Sequence, residues 1–534
     1  MDDRTLRMTR RSFVRSSAAA IGMMSAPAFV GCMSAAKRPT WRAGDPFQLG
    51  VAAGTPSADG FVLWTRLAPE PLCADPARPG GMSGGPVPVE YEVASSPDFR
   101  NILRSGIGVA DPEFAYSVHV ELTGLDPGRT YWYRFMSGDA LSRAGCAVTA
   151  PSPGALVDRL RFGFVSCSNY EHGYFSAYRH LADEHPDLVL FLGDYIYEYL
   201  DSRPGTVRRH SDDSVARDLR TYRNRYAQYR QDPDLQRLHA EATALLTWDD
   251  HEVQNDYANE WSQTFDTPEA FLVRRAAAYQ AFYEHMPLRR RSRPSGPSLR
   301  LYDQLDWGGL AQIFVLDGRQ YRSREACYGP PNRGGGHLET DASCPERLEP
   351  GRSLLGAAQE EWLYDGLTQS RARWNLLAQD VPMARLRRGK PGQSEYWTDG
   401  WDGYPANRMR LLRHIHESRV SNPVVLSGDI HSFWANDLKA DFDDPGSATV
   451  ATEFVGTSIS SHGVPYQEFL GFLPDNPHVR YFDSRSRGYA FVELTPEKLT
   501  TRFEAVDDAT DPRSASSTLE TFVVESGRPG PQLA

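Results

Sequence analysis

Four short clusters in this 534-residue chain carry side chains able to ligate metal ions. Cys167 opens CSN, Asp194 and Tyr197 lie in GDYIY, Asp249, Asp250, His251 and Asn255 lie in WDDHEVQND, and Asp429 and His431 lie in SGDIH. As thiolate and phenolate, Cys167 and Tyr197 are anionic donors suited to a strongly Lewis-acidic ion such as Fe³⁺, and His431 adds a neutral imidazole. Asp194 has two oxygens and can bridge two ions. Beside it, Asp250, Asn255 and Asp429 offer oxygen alone, which favours a hard ion such as Ca²⁺ over Zn²⁺ or Cu²⁺. One Fe³⁺ and one Ca²⁺ would balance five ionised donors, and a second Ca²⁺ would leave the cluster positive, ready for a phosphate dianion. Two ions about 4 Å apart hold a bridging hydroxide and phosphoryl oxygens together, so hydrolysis of a phosphate ester needs no protein nucleophile.

Other residues fit around such a cluster. His251 is expected to support the ligands from outside or to contact phosphate, rather than to ligate, and Asp249 to be structural or to support from outside, since two adjacent residues do not easily both face one cluster. Arg322 and Arg223 are candidate phosphate clamps, because a guanidinium binds two phosphate oxygens at once; a surface ion pair suits Arg223 equally. Asn169 either contacts substrate or supports Cys167. Trp401 and Tyr404 either wall the pocket mouth or belong to the core, and His462 lies close in sequence to EFVGTSISS.

The elements that must position these residues read as strands. LRFGFVSCSN, PDLVLFLGDYIYEY, ALLTWDDHE, LAQIFVLDGRQ, RWNLLAQDV and NPVVLSGDIHSF are apolar runs, separated by helical stretches such as YFSAYRHLADEH and TPEAFLVRRAAAYQAFYEHM. In open α/β sheets, ligands sit at the carboxyl ends of strands, where all four clusters fall. Residues 155–506 are therefore expected to form an α/β (α+β) domain of two packed mixed sheets flanked by helices. Before it, residues 43–150 hold short alternating runs bounded by Gly, Pro, Asp and Ser, which predict a small β-sandwich; LTGLDPGRTYWYRF looks like a fibronectin-type strand–turn–strand. After it, residues 507–534 are polar with one amphipathic patch, SSTLETFVVES, read as a tail or a short packed helix.

These motifs resemble the metallophosphoesterase superfamily, whose pattern runs D-x-H or D-x-G, GDxxY, GNH, GHxH. Here Cys167 stands where Asp is usual, Asp250 where Asn is usual and Asp429 where His is usual. The altered set resembles the PhoD-like alkaline phosphatase and phosphodiesterase family, as do ADGFVLWTRLAPEP, CSNYEHGYF, LDGRQYR and EFVGTSISS. The resemblance covers nearly the whole chain. It implies a metallophosphoesterase fold, phosphoric ester hydrolysis, and one Fe³⁺ with Ca²⁺. A phospholipase D-like esterase, or an exported binding protein with a degenerate metal site, are the competing readings.

The net charge of −11 argues against nucleic acid as a stable partner. Residues 1–42 read as a twin-arginine signal and linker: Arg10 and Arg11 precede Phe13, a weakly apolar run and small residues. The twin-arginine machinery is thus an expected partner, and a periplasmic or extracellular monomer the expected product. Cleavage after Ala26-Pro27-Ala28 and lipidation at Cys32 are both open, and no membrane span is expected in the mature chain. Cys327 and Cys344 flank a Gly/Pro-rich loop and could close it as a disulfide, with Cys73 and Cys146 as a second candidate pair.

Overall fold

A computed structural model describes residues 41, 44–201, 205–330, 334–389, 394–444 and 446–534. The twin-arginine segment and Cys32 lie outside them.

The N-terminal part is β-rich. Strands β1 (Val51–Ser57), β2 (Gly60–Arg66), β3 (Val87–Ala94), β4 (Ile102–Ala110), β5 (Ser117–Glu121), β6 (Thr130–Ser137), β7 (Ala140–Leu141) and β8 (Gly145–Val148) follow one another without an α-helix. Strands β4, β3, β6 and β7 form one sheet, with β8 also on β6. Its inward side chains, Val89, Val93, Tyr131, Tyr133 and Phe135, pack on Val51, Ala53, Phe61, Leu63 and Val118 of β1, β2 and β5. The expected sandwich is present, but one of its layers is shared: β1 pairs in parallel with a strand of the next domain, at Ala53–Thr243 and Gly54–Ala244.

That next domain contains β9 (Leu160–Val165), helix α1 (Ser176–Asp183), β10 (Leu188–Leu192), α2 (Leu219–Arg230), α3 (Pro233–Glu241), β11 (Thr243–Thr247), α4 (Pro268–His285), β12 (Asp303–Trp307) and β13 (Ala311–Val315). There follow β14 (Leu338–Glu339), α5 (Ala357–Gln369), β15 (Trp374–Ala378), β16 (Tyr396–Trp397), α6 (Pro405–Glu417), β17 (Pro423–Ser427), β18 (Phe433–Lys439), β19 (Thr449–Val455), α7 (Tyr466–Leu470) and β20 (Val479–Asp483). The last strands are β21 (Arg487–Leu494), β22 (Lys498–Val506), β23 (Ser516–Glu525) and β24 (Arg528–Leu533). One mixed sheet runs β24-β23-β22-β21-β9-β10-β11-β1-β2-β5, and a second runs β12-β13-β15-β17-β19-β18-β20.

Period-2 side-chain alternation explains the layering. In β10, Leu188, Leu190 and Leu192 face the second sheet, while Val189 and Phe191 face the helices. In β17, Val424 and Leu426 face inward and Val425 outward. Strands with two covered faces are apolar throughout, as parallel central strands require. Helices α1 and α4 cover the first sheet, and α5 and α6 the second. Each buried Leu or Phe of the inner rows contributes about 1.5–3 kcal/mol.

Two expectations are corrected. The C-terminal segment is neither tail nor helix: β23 pairs along β22, and Phe522 and Val524 enter the inter-sheet core. Leu519, Phe522 and Val523 have helical spacing, but Thr518, Thr521, Val523 and Val524 are β-branched and favour a pleated surface. Cys73 and Cys146 are free thiols. Cys146 donates to the Glu241 carbonyl at the end of α3, while the Cys73 carbonyl accepts from Asn224 of α2. Cys327 and Cys344 do form a disulfide, with Cα atoms 6.0 Å apart. Among the described residues, no helix is long and apolar enough to cross a membrane.

Candidate metal centre

The carboxyl ends of β9, β10, β11 and β17 meet at one place. Two glycines permit the approach. A Cβ at Gly428 would lie 2.5 Å from Ser166 Oγ, and one at Gly193 would lie 2.4 Å from Asp249 Cβ. The residues delivered there leave their strands through left-handed turns: φ is 61° at Cys167, 52° at Asp194, 66° at Asp429 and 53° at His431. Such backbone costs a non-glycine residue about 1–3 kcal/mol and collects at functional sites.

Cys167, Asp194 and His431 each place a donor atom within 4.8 Å of the others, and so do Asp194, Asp250 and His251. Asp194 belongs to both groups, the position of a bridge. Tyr197 Oη donates to Asp194 Oδ2 at 2.8 Å, lies 3.1 Å from His431 Nε2 and accepts from Ser461 Oγ at 2.8 Å. Donation from His431 Nδ1–H to the His462 carbonyl, 2.8 Å away, turns the Nε2 lone pair toward Tyr197 and Cys167. Asp250 Oδ2 accepts the Asp256 N–H, but its buried Oδ1 accepts no hydrogen bond. Asp429 is half-buried at the edge of the centre.

The electrostatics of the centre favour added positive charge. Burial, with the carboxylates of Asp250, Glu252 and Asp429, pushes the Asp194 carboxyl well up, against the pull of His251. Burial, then Asp399 and Asp250, push Asp429 to about 7. Burial, Asp194 and Asp429 raise the Cys167 thiol; burial, Asp194 and Cys167 raise the Tyr197 phenol. Burial lowers His431 to about 3, helped by Arg487. Burial thus works against the charged forms of Cys167, Asp194, Tyr197 and Asp429, whereas His251 and Arg319 hold the Asp250 carboxyl low against its own burial. Thiolate, phenolate, imidazole and clustered carboxylates fit transition-metal and hard-cation ligation together.

The remaining sequence candidates divide. The His251 ring Nδ1 bonds Glu198 at 2.7 Å, and the backbone N–H of His251 donates to Asp194 Oδ1. Burial lowers its pKa, but Asp250, Asp194 and Glu198 outweigh that and raise it. Asn255 is tied in through its backbone N–H, which donates to Glu198. Asn169 is fully buried, and its amide bonds the Tyr199 hydroxyl and the Glu171 N–H, so it braces the Cys167 loop rather than facing substrate. Arg322 is held by protein partners. It is fully buried, donating to the Gly318 carbonyl, Glu325 and Asp399. Arg223 forms a two-point ion pair with Glu284. Tyr404 is core, its hydroxyl donating to the Ser323 carbonyl. Trp401, also fully buried, walls a cavity that Asp429 edges. The exposed His462 stacks on His172 at 4.0 Å.

Three functional residues escaped the sequence reading. Arg319, not Arg322, is the cation of LDGRQYR that reaches the centre. It donates to Asp249 at 2.5 Å, clasps both oxygens of Asp399 at 2.6 and 2.7 Å, and lies 3.9 Å from Asp250. Glu252 ties two strand ends together by accepting N–H groups of Asp194, Tyr195 and Asp249. Ser461 links the Tyr197 hydroxyl to the Cys167 carbonyl. Glu252 and Ser461 stand inside motifs already quoted, WDDHE and SISS, which was the available signal.

Comparison with known proteins supplies a context. A family model described as PhoD-like phosphatase matches residues 162–503, and one described as PhoD-like phosphatase, N-terminal domain, matches residues 32–151. The chain is 45 % identical over 492 residues to alkaline phosphatase D of Bacillus subtilis (strain 168), covering 91 % of this chain and 82 % of that protein. It is similar to a solved structure of PhoD at a TM-score of 0.87 and 44 % identity, over 93 % of each chain. A purple acid phosphatase from yellow lupin (Lupinus luteus) seeds shares the fold at a TM-score of 0.55 and 12 % identity, over 89 % of this chain and 74 % of that one.

Proposed function

This chain belongs to the PhoD-like phosphatase family and is a phosphoesterase; from that premise we propose that its buried centre hydrolyses phosphate esters with one Fe³⁺ and one or two Ca²⁺ ions. The observation that carries this reading is the convergence of Cys167, Asp194, Tyr197, His431, Asp250 and Asp429 at the strand ends, four of them on left-handed backbone, with several carboxylates acting on one another there. Cys167, Asp194, Tyr197 and His431 would hold the iron, and Asp194, Asp250, Asn255 and Asp429 the calcium. The ions supply the positive charge that binds phosphoryl oxygens and acidifies the attacking water. Ser461, donating to Tyr197 Oη, favours the phenolate. His251, held by Glu198, gives the phosphoryl group a hydrogen bond from its other ring nitrogen.

The test joins metal content to turnover. Purified protein should hydrolyse p-nitrophenyl phosphate or its bis-ester, and should absorb visible light through a phenolate-to-iron band that Tyr197→Phe weakens. EGTA should remove calcium and activity while iron stays bound, and Ca²⁺ should restore the rate. A colourless, iron-free, fully active enzyme would reject the iron assignment; an unchanged rate after calcium removal would reject the other.

Export by the twin-arginine route to the periplasm or beyond is part of the same proposal. The Cys327–Cys344 disulfide supports an oxidising compartment. Lys at both Arg10 and Arg11 should leave the precursor in the cytoplasm, as read by cell fractionation. Normal export of that double variant would contradict the route.

A further inference from the structure

A cavity of about 360 Å³ opens beside the acidic centre, with Asp429 on its edge and Trp397, Trp401, Trp434 and Phe469 among its walls. The indole N–H groups of Trp401 and Trp434 are spent on Gln379 and Ser432, so these rings offer the cavity their apolar faces. Arg388 lines the same space. Its guanidinium sits 4.8 Å over the Phe469 ring and 5.7 Å over Trp397. Among the described residues its buried Nε has no hydrogen-bond partner and the side chain makes no ion pair. The neighbouring Arg385, by contrast, is paired with Asp443. Arg388 is half-buried, with the carboxylates of Asp402, Asp429 and Glu468 acting on it from a distance, and a guanidinium whose Nε lacks an acceptor can still take a phosphoryl oxygen.

An apolar, aromatic-walled space, one unpaired cation and an edge shared with the acidic centre match one chemistry. We propose that the cavity seats the organic arm of the phosphate ester, that this arm is flat and apolar, and that Arg388 takes a phosphoryl oxygen. This rests on the phosphoesterase reading above. An aromatic cage alone would also suit a quaternary ammonium arm, but the Arg388 charge inside it repels a cation.

Competitive inhibition separates the arm from the chemistry, since phosphonates bind without a leaving group. Against p-nitrophenyl phosphate hydrolysis, phenylphosphonate should inhibit about 10–50 times more tightly than methylphosphonate, from the extra apolar area buried. Val464, half-buried on the cavity wall, provides a way to fill it: in Val464→Trp the ratio should fall to within about threefold, with inorganic phosphate, which has no arm, as reference. Arg388→Gln should weaken inorganic phosphate and both phosphonates alike, by about tenfold, and keep their ratio. Equal inhibition by the two phosphonates in the active wild-type enzyme overturns the arm site. Unchanged phosphate inhibition in Arg388→Gln overturns the role of that arginine. A protein that hydrolyses no phosphate ester would instead overturn the phosphoesterase reading itself.

Discussion

Asp194→Asn is expected to cut kcat/KM for p-nitrophenyl phosphate by on the order of 10³ while raising the melting temperature of the metal-free protein. The two signs have one cause. Asp194 is the shared member of both donor groups, so its charge is the one that both proposed ions would need. Without ions, burial and the carboxylates of Asp250, Glu252 and Asp429 raise its pKa, so at neutral pH the folded protein must take up a proton there or keep an unfavourable charge, a cost that Asn does not carry. Asn preserves the local bonds: its oxygen still accepts the His251 N–H, and the Tyr197 hydroxyl can accept from its amide. Paired assays of turnover and thermal unfolding after metal stripping read both effects. Retained activity would remove Asp194 from the bridge, and a lower melting temperature would mean that the acidic cluster is not a strained one.

Arg319→Met is expected to cost about 3–5 kcal/mol of folding free energy, since it strands buried carboxylates without their cation. Arg319 is fully buried and satisfies Asp249 and both oxygens of Asp399. Arg319→Lys should recover little, because an ammonium cannot span the two oxygens of Asp399 and reach Asp249 together. Urea denaturation gives the size, with Arg223→Met as comparison: that pair lies beside Glu284, away from the acidic cluster. Equal losses from Arg319→Met and Arg319→Lys, with activity retained per folded molecule, fit this role. A loss under 1 kcal/mol in Arg319→Met would not.

The centre was legible because its residue types are rare together and sit after apolar runs: Cys167, Asp194, Asp250, Asp429 and His431 follow β9, β10, β11 and β17. The layer order was legible for the same reason, since apolar strands between helices have few places to go. What stayed hidden was direction. Arg319 and Arg322 are three residues apart in LDGRQYR, and which one meets the carboxylates depends on a turn in which Asp317 Oδ1 accepts the N–H groups of Arg319 and Gln320. The left-handed backbone at Cys167, Asp194, Asp429 and His431 carries no glycine to announce it. Pairing over long distance was hidden too: Cys73 and Cys146 share a domain but not a neighbourhood, and nothing local in β1 names β11 as its partner.

The strand order also fixes when this centre can exist during synthesis. Cys167 follows β9, whose two neighbours are β10 and β21, and the β21 register pairs Leu494 with Leu160. Asp429 and His431 follow a strand of the second sheet that packs on this same core. The ribosome must therefore deliver more than 300 further residues after β9 before that strand gains its second partner, and contacts so far apart in sequence form late and slowly. An emerging chain holds Cys167 and Asp194 without Asp429, His431 or the β21 edge, so a ribosome-stalled chain ending before residue 423 should bind no ion at this centre.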